Sequence, residues 1–316
     1  MCVRDLRLLV AAALLCPAVG CNWMREWRDQ IGQPRPVTSG GRLPDRPASE
    51  FVRFVNQRAD ALQSVEYGDV RMRVSGKGIP LSVSLEGNLA AAQPRCFRLI
   101  AGGKMAGKID LGSNPEQFWV YTGGAGEPLF VYASHSDFES GRAKIPGGMP
   151  FEPDWVMQAL GMTKLPEGGQ YDAKVDDRER TYTLGWNAVA PNGVPVRKEI
   201  VFDGEPATGN RSQVKRHVLR DAKRAVIATA EIRSAETIAA GVTADGKRAV
   251  TQYPTRLVLK WEEPRFEMDM TLERGTPNSE VSADRRAVLF NRPTNLGTPA
   301  IDLAVARFDA PTGRPR

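Results

Sequence analysis

Apolar and polar residues alternate with a period of two along most of the chain, and this constrains the fold more than any other feature. In the segment 266–273, FEMDMTLE, the apolar residues occupy every second position. Strands with one apolar and one polar face are typical of an antiparallel sheet covered on one side. About a dozen such strands form too much sheet to stay flat, so we expect it to curl. The predicted strands are 69–75, 81–86, 97–99, 109–111, 116–121, 128–133, 170–176, 181–189, 196–203, 213–220, 225–235, 253–262 and 266–273.

One strand breaks the alternation. The segment QFWVY (117–121) is apolar on both of its faces. Such a strand is either covered on both sides by its own chain or exposed for a partner, and the pattern leaves both alternatives open.

Two segments have the helical period instead. Ser49 is a good N-cap for a helix that reaches about Leu62, with apolar residues on one face. Pro153 at the first position and Gly161 after the last predict a second helix with a broad apolar stripe. We therefore predict a mainly β (α+β) protein: a curled antiparallel sheet, or incomplete β-barrel, with helices plugging its concave face.

The N-terminus has the pattern of a targeting segment. Arg4 and Arg7 precede the apolar run 8–19, which is too short to span a bilayer and fits a signal peptide. The run ends in Ala18-Val19-Gly20-Cys21, which resembles the lipobox of bacterial lipoproteins. The resemblance implies that residues 1–20 are removed and that Cys21 carries lipid. The alternative is an ordinary secretory signal with an incidental cysteine.

The remaining chain divides into three predicted parts. Residues 21–48 form a tether, rich in Pro and Gly, in which Trp23 and Trp27 either lie at the lipid headgroups or belong to a disordered linker. A domain follows at 49–275, and residues 276–316 form an extended C-terminal tail. Removal of Arg4, Asp5 and Arg7 lowers the net charge from +6 to +5. With no basic run, nucleic-acid binding is not expected. Cys96, in a strand-like run, is expected to be a small buried residue.

The order of elements resembles the LolA lipoprotein carrier and the LolB outer-membrane lipoprotein receptor. The matching segments are SEFVRFVNQRADALQSV (49–65), DVRMRVS (69–75), LEGNLAAAQPRCFRLIAGGKMAGKIDL (85–111), PDWVMQALGM (153–162), HVLRDAKRAVIATAEI (217–232) and PTRLVLKWEEPRFEMDMTL (254–272). The resemblance implies an incomplete barrel with an apolar cavity for acyl chains. An anchored domain cannot shuttle between membranes, so Cys21 favours the receptor-like branch. Asn22, where Asp would signal inner-membrane retention, favours the outer membrane, with the domain facing the periplasm.

The alternation also names candidate site residues. Residues on one face of each strand, together with the second helix, are expected to line a ligand. In the receptor branch an exposed apolar residue in the hairpin after the Phe-Arg-Leu strand assists transfer, and the resemblance suggests Met105 for that role; alternatively, Met105 folds back onto the domain. The candidate lining residues are Val70, Met72, Val83, Leu85, Leu99, Trp155, Leu160, Met268 and Met270.

The sequence offers few residues in the arrangements that catalytic sites need. The segment 102–108 matches the start of a phosphate-binding loop, but Ile109 stands where Ser or Thr must hold Mg²⁺, and a strand pattern follows instead of a helix. Adjacent His135, Ser136 and Asp137 cannot converge as a triad and are expected to be solvated, as is His217. The acidic pairs 176–177 and 262–263 fit solvated turns. We therefore predict no enzyme, no metal and no cofactor.

Two functions remain. The first is a monomeric, membrane-anchored lipoprotein that binds an acyl chain or another apolar ligand in a half-barrel, in lipoprotein or lipid transfer at the cell envelope. The second is a structural or interaction lipoprotein whose cavity is filled by its own side chains, with the surface near Trp119 and Tyr121 binding an envelope protein.

Overall fold

The computed structural model describes residues 41–77, 79–104, 107–123, 127–144, 153–190, 193–242, 248–263, 265–279 and 282–306. The predictions for residues 1–20, Cys21, Trp23, Trp27 and Met105 lie outside these ranges. The chain divides into two compact units, and the first, Met1–Arg42 with Val242–Lys247, contributes only three described residues. The second unit, Leu43–Gly241 with Arg248–Arg316, holds the elements described below.

Within the described ranges, fourteen strands form one curled sheet in the order β14-β6-β5-β4-β3-β2-β1-β13-β12-β11-β10-β9-β8-β7. The edge strands β14 and β7 do not pair with each other, so the sheet is an incomplete barrel, as predicted. All thirteen predicted strands are present, and β14 is new. The bounds are β1 Ser64–Gly76, β2 Ile79–Ala92, β3 Cys96–Gly103, β4 Gly107–Ser113, β5 Gln117–Thr122, β6 Leu129–Ser134, β7 Asp172–Asp176, β8 Thr181–Val189, β9 Pro195–Asp203, β10 Val214–Asp221, β11 Val226–Val242, β12 Arg248–Trp261, β13 Phe266–Pro277 and β14 Ile301–Asp302.

The ladder between β1 and β13 joins the two halves of the sheet. It is antiparallel and runs from Val65 opposite Pro277 to Gly76 opposite Phe266. On its other side β1 pairs with β2, its neighbour in sequence. The middle of the sheet therefore depends on strands about 200 residues apart in the chain, as in the pair Val70 and Leu272.

Among the described residues, the helices are α1 Ala48–Ala61, α2 His135–Glu139, α3 Pro153–Leu160 and α4 Ala283–Phe290. The prediction that Ser49 caps α1 is wrong, because Pro47 is the N-cap residue and no side chain caps the helix. Pro47 has extended backbone angles, and its carbonyl accepts a hydrogen bond from Glu50 N–H. The packed chain also begins before the predicted start at Ser49. Leu43 is buried, and its N–H donates to Asp177 at 2.7 Å.

Helices α1 and α3 pack against the concave face of the sheet, as predicted. Phe51 of α1 contacts Tyr182 on β8 and Phe202 on β9, with ring centroids 5.2 and 4.9 Å apart. Trp155 of α3 packs edge-to-face on Trp261 of β12 at 5.8 Å. α3 ends at Gly161, whose φ of +84° lies in the left-handed region that favours glycine.

The convex face has two regions, one exposed to solvent and one covered by the chain itself. Across β1, β12 and β13 it carries exposed ion pairs such as Arg256 with Asp269. Across β2 to β6 it is covered by the chain's own segment 283–303, which we call the strap. Phe290 of the strap packs on Ala90, Ala92 and Cys96, which is buried as predicted. The prediction of an extended tail at 276–316 is therefore wrong for the strap, because apolar side chains on both strap and sheet are removed from water there.

The strap explains the exceptional strand QFWVY. Trp119 and Tyr121 face the convex side, where they cluster with Phe130 and are packed by Leu296 and Ala300 of the strap. Phe118 and Val120 belong to the main core on the other face. β14 then adds to the edge strand β6 in parallel, with Ile301 opposite Val131. Of the two alternatives, the structure shows β5 covered on both sides by its own chain.

A buried carboxylate fixes this convex layer. Asp110 on β4 accepts hydrogen bonds from Arg98 at 3.2 and 2.9 Å and from the Trp119 indole at 3.0 Å. Arg98 also donates to the carbonyl of Leu289 at 3.0 Å, near the end of α4. Gly112 lies directly beneath the indole, since a Cβ there would come within 2.0 Å of the Trp119 ring.

Candidate functional site

The candidate lining residues lie on one continuous apolar surface. In the ladder registers, Met72 of β1 stands opposite Leu85 and Met270, and Val74 stands opposite Val83 and Met268. All nine candidates, including Trp155 and Leu160 from α3, contribute to or pack against the same apolar cluster. The sequence thus placed them on the same face, and their contact with a ligand stays a prediction.

In this conformation the surface is covered by the protein's own side chains. Val70 and Leu160 are 0% exposed, so no water-sized void touches either side chain. Val83 is half-buried, and the other candidates are buried. An occupant of the concave face would therefore have to displace part of what covers it, and α3 is the shorter of the two helices, α1 and α3, that lie across the candidate residues.

Helix α3 is held by few polar contacts. Arg95 forms an ion pair with Asp154 at 2.7 Å near the start of the helix. After the helix, Asn56 of α1 makes two hydrogen bonds with the backbone of Leu165, at 2.9 and 2.7 Å. Between these points the apolar side chains of α3 pack in the main cluster, and Arg58 donates a hydrogen bond to the Leu160 carbonyl.

A buried cation lies beneath the end of α3. Arg58 of α1 is 6% exposed, and its Nε donates to the carbonyl of Gln252 at 3.0 Å. Its Nη2 donates to the carbonyl of Leu160 at 3.5 Å, and a Cβ on Gly161 would come within 2.4 Å of the guanidinium. Burial lowers the Arg58 pKa to about 10, although the coulombic effect of Tyr67 raises it, so Arg58 is protonated at neutral pH. No carboxylate among the described residues pairs with this charge.

A buried imidazole shares this environment. His217 of β10 stands opposite Ile200 and Ala230, both members of the concave cluster. Neither ring nitrogen has a hydrogen-bond partner within the described part of the chain. Burial, together with the smaller effect of the nearby Arg58 charge, lowers the His217 pKa to about 3. The prediction that His217 is solvated is therefore wrong, because its side chain points into the core.

Two tyrosines continue the polar region. Tyr67 donates to the carbonyl of Pro254 at 2.6 Å, and burial raises its pKa, as does the charge of nearby Tyr253. Tyr253 donates to Glu236, and its pKa is raised to about 12 by burial and by that carboxylate. The concave face therefore combines a wide apolar patch with a small polar region at Arg58, His217 and the two tyrosines.

The segments that were compared with catalytic or phosphate-binding motifs have structural roles. The segment 102–108 falls at the β3–β4 hairpin, so no helix N-terminus follows it. His135 is buried, which corrects the prediction of a solvated residue, and its Nε2 lies 2.8 Å from the carbonyl of Asn114. Ser134 caps α2 by accepting from Asp137 N–H. In the described ranges, no group of three or more His, Cys, Asp or Glu is placed to hold a metal ion.

A cleft of about 590 Å³ lies at the hairpin ends near Gly76 and is lined by Lys77, Glu263 and Arg265. It is partly open to solvent, and charged side chains stand in its lining. None of the helices in the described residues is long and apolar enough to cross a membrane.

Sequence reasoning missed the polar members of the concave face. Arg58 stands three residues after Val55 and seven after Phe51, so it falls on the apolar stripe of α1, and this spacing was the available signal. For His217 the signal was hidden, because a register irregularity between Val214 and Arg216 changes which residues of β10 share a face.

Comparison with known proteins found similar solved structures but no matching sequence. No protein-family model matches the sequence, and no curated protein matches it. Similar solved structures include a domain described as an outer membrane lipoprotein-sorting protein from Vibrio parahaemolyticus, at 7% identity and a TM-score of 0.43, covering 77% of this chain and 100% of that one. A LolA superfamily protein from Nitrosomonas europaea matches at 9% identity and 0.42, covering 78% and 99%. A DUF1329 family protein from Desulfovibrio piger matches at 13% and 0.45, covering 77% and 97%.

Proposed function

We propose that this domain binds an acyl chain, or another elongated apolar ligand, on the concave face of the sheet, with α3 as an exchangeable plug. The observation that carries the proposal is the apolar patch that continues from β3 across β2, β1 and β13 beneath the helices. A helix that covers such a patch through apolar packing can be replaced by another apolar body of similar size.

The energies of the two occupants are comparable. Burial of an acyl chain is favourable by about 0.8 kcal/mol for each CH₂, or roughly 12 kcal/mol for a chain of about sixteen carbons. Each large apolar side chain buried by α3 contributes about 1.5–3 kcal/mol, so Trp155, Val156, Met157 and Leu160 together contribute on the order of 10 kcal/mol. The exchange is therefore nearly balanced, which suits reversible binding.

Anchoring through lipid on Cys21 is part of the proposal. The sequence 18–21 supports it, and the packed domain begins at Leu43, which leaves residues 22–42 as the connection. A monomeric domain at the outer membrane, facing the periplasm, fits a receptor-like role in lipoprotein or lipid transfer. Labelling of cells with a radioactive fatty acid tests the anchor. We expect label on the wild-type protein and none on Cys21→Ala, and label on Cys21→Ala would contradict it.

The second candidate function is a structural envelope lipoprotein that binds no ligand. The coverage of Val70 and Leu160 by the protein's own side chains favours it. Its proposed interaction surface at Trp119 and Tyr121 is not supported, because the strap covers both residues.

Native mass spectrometry of residues 41–316 produced in bacteria separates the two functions. Acyl binding predicts co-purifying lipid, or a 1:1 adduct with added dodecan-1-ol and a raised melting temperature. A Leu99→Trp variant enlarges a side chain on the concave face and should lose the adduct. Val288→Trp, on an exposed face of α4, should keep it. Circular dichroism confirms that both variants fold. Absence of any adduct with the wild-type domain would support the structural function instead.

A further inference from the structure

Within the described ranges, the buried positive charge of Arg58 on the concave face has no carboxylate paired with it. Arg58 is almost completely buried, and its hydrogen bonds go to the backbone carbonyls of Gln252 and Leu160. Removing a guanidinium from water without a counter-charge costs several kcal/mol, and buried cations in proteins are normally paired with an anion. Two other arginines are paired with carboxylates: half-buried Arg98 with Asp110, and buried Arg197 with Asp172 and Glu199.

A second side chain at the same place also lacks its partners. His217 is buried, and both of its ring nitrogens are without hydrogen bonds within the described chain. Ser212 lies two residues before the same strand, and its buried hydroxyl also has no hydrogen-bond partner within the described chain. Buried polar groups are satisfied in the great majority of cases, so orphaned groups call for a missing partner. Gln252 links the two regions: its carbonyl accepts from Arg58 Nε at 3.0 Å, and its side-chain oxygen accepts at 2.9 Å from the N–H of Gln213, which follows Ser212 and leads into β10. The Arg58 charge also acts on His217.

We propose that Arg58 and His217 form the headgroup site of the acyl cavity and receive the carboxylate of a long-chain fatty acid. This inference rests on the proposed acyl binding. A carboxylate accepts charge-assisted hydrogen bonds from the guanidinium and one from the imidazole N–H. It supplies the missing negative charge to Arg58 and a partner to His217, while the alkyl chain follows the patch beneath α3.

The position of Arg58 links the headgroup to the plug. Its Nη2 donates to the carbonyl of Leu160, the last residue of α3, and the contact is long at 3.5 Å. A carboxylate is a stronger acceptor for a guanidinium than a carbonyl is, so it competes for this donor. The anion therefore loosens the end of α3 as it binds, and headgroup recognition and plug displacement occur together.

Isothermal titration of residues 41–316 with dodecanoate, dodecan-1-ol and acetate tests the site. We expect dodecanoate to bind at least tenfold more tightly than dodecan-1-ol, and acetate to bind weakly. In Arg58→Gln the preference for the carboxylate should fall to near unity while the affinity for dodecan-1-ol is kept. His217→Leu should reduce the preference in part. Arg53→Gln, on the exposed face of the same helix, is the matched control and should behave as the wild type.

The outcomes separate the two proposals. Equal affinities for dodecanoate and dodecan-1-ol in the wild type would overturn the headgroup site and leave acyl binding intact. A preference for dodecanoate that is unchanged in Arg58→Gln and in His217→Leu would also overturn the headgroup site and leave acyl binding intact. Acetate binding as tight as that of dodecanoate would assign the site to a free small anion and overturn the fatty acid. If neither dodecyl compound binds, acyl binding itself fails and the headgroup site fails with it.

Discussion

Single residues at two places in the structure hold arrangements that the rest of the fold depends on. Gly112 leaves the space in which the Trp119 indole lies against β4, and the indole in turn donates to the buried Asp110. His217 is kept neutral in the core beside the Arg58 charge. We therefore expect the stability of the domain to depend on the missing side chain at Gly112 and on the neutral state of His217.

We expect Gly112→Ala to lower the free energy of unfolding by about 2–4 kcal/mol, because the new methyl group would overlap the Trp119 ring and force it from its site. Urea unfolding followed by circular dichroism measures the change. Gly168→Ala is the matched control, since nothing lies within 4 Å of its Cβ position, and it should change stability by no more than about 0.5 kcal/mol. Equal effects of the two substitutions would contradict this account of Gly112.

The ligand-free protein should lose stability in acid through His217. Its pKa is about 3 in the folded state and about 6.5 in an unfolded chain, so between these values the unfolded chain binds one more proton. Stability therefore falls as the pH falls through this window, by roughly 1.4 kcal/mol for each pH unit. Urea titrations of the wild type and His217→Leu at pH 7, 6 and 5 should show the wild type losing more. A constant difference between the two proteins would refute the buried neutral imidazole.

At the scale of elements, the strap replaces a second layer on the convex face. Its helix α4 is held by Arg98 and by Asn114, whose side chain donates to the carbonyl of Phe290 at 3.3 Å. Arg292 then lies over the Tyr132 ring at 3.6 Å from its centroid, a distance suited to a cation–π contact. The strap ends in β14, which pairs with β6 at Val131 and Tyr132 and so occupies part of a backbone edge that would otherwise be open to another chain.

Loss of the Phe290 ring should detach the middle of the strap. We expect Phe290→Ala to cost about 3–5 kcal/mol of stability and to increase the exposure of the Trp119 indole, because the ring fills the space above Ala90 and Ala92. Urea unfolding and acrylamide quenching of tryptophan fluorescence measure the two effects. Val288→Ala, on the exposed side of α4, should leave both unchanged. Unaltered quenching in Phe290→Ala would show that the strap is held without this ring.

At the scale of the molecule, the two halves of the chain are parts of one sheet. β1 to β6 come from the first half and β7 to β13 from the second, and they meet at the β1–β13 ladder. The strap of the second half also covers the convex face of the first. Neither half therefore buries its apolar surface by itself.

Fragments 41–144 and 153–316 should consequently assemble when they are produced together. We expect a 1:1 complex by size-exclusion chromatography with the circular dichroism of the intact domain, since the β1–β13 ladder and the strap hold the halves together. Each fragment alone should lack a cooperative unfolding transition. Cooperative unfolding of either isolated half would show that the sheet consists of two independent domains.

Much of this fold follows from local sequence patterns. The period of two located the strands, and the period of 3.6 located α1 and α3, because residues that are close in sequence decide which side chains share a face. The same alternation assigned the candidate lining residues to one face of each strand, and the curl follows from the number of strands.

Other features depend on contacts between distant residues, and only the tertiary structure decided them. The segment QFWVY has apolar side chains on both faces, and both are buried in the structure. Residues 296–300 cover one of them, and no pattern near QFWVY in the sequence indicates this. The two-residue β14 is too short to leave a periodic pattern. The spacing of Arg58 put it on the apolar stripe of α1, but its burial depends on the contacts with Leu160 of α3 and Gln252 of β12. His217 looks like an ordinary polar residue of a strand, and its burial depends on the register with β9 and β11. The sequence determined which surfaces are apolar because that property is local, whereas the fold determined what covers each surface because burial is a property of the whole chain.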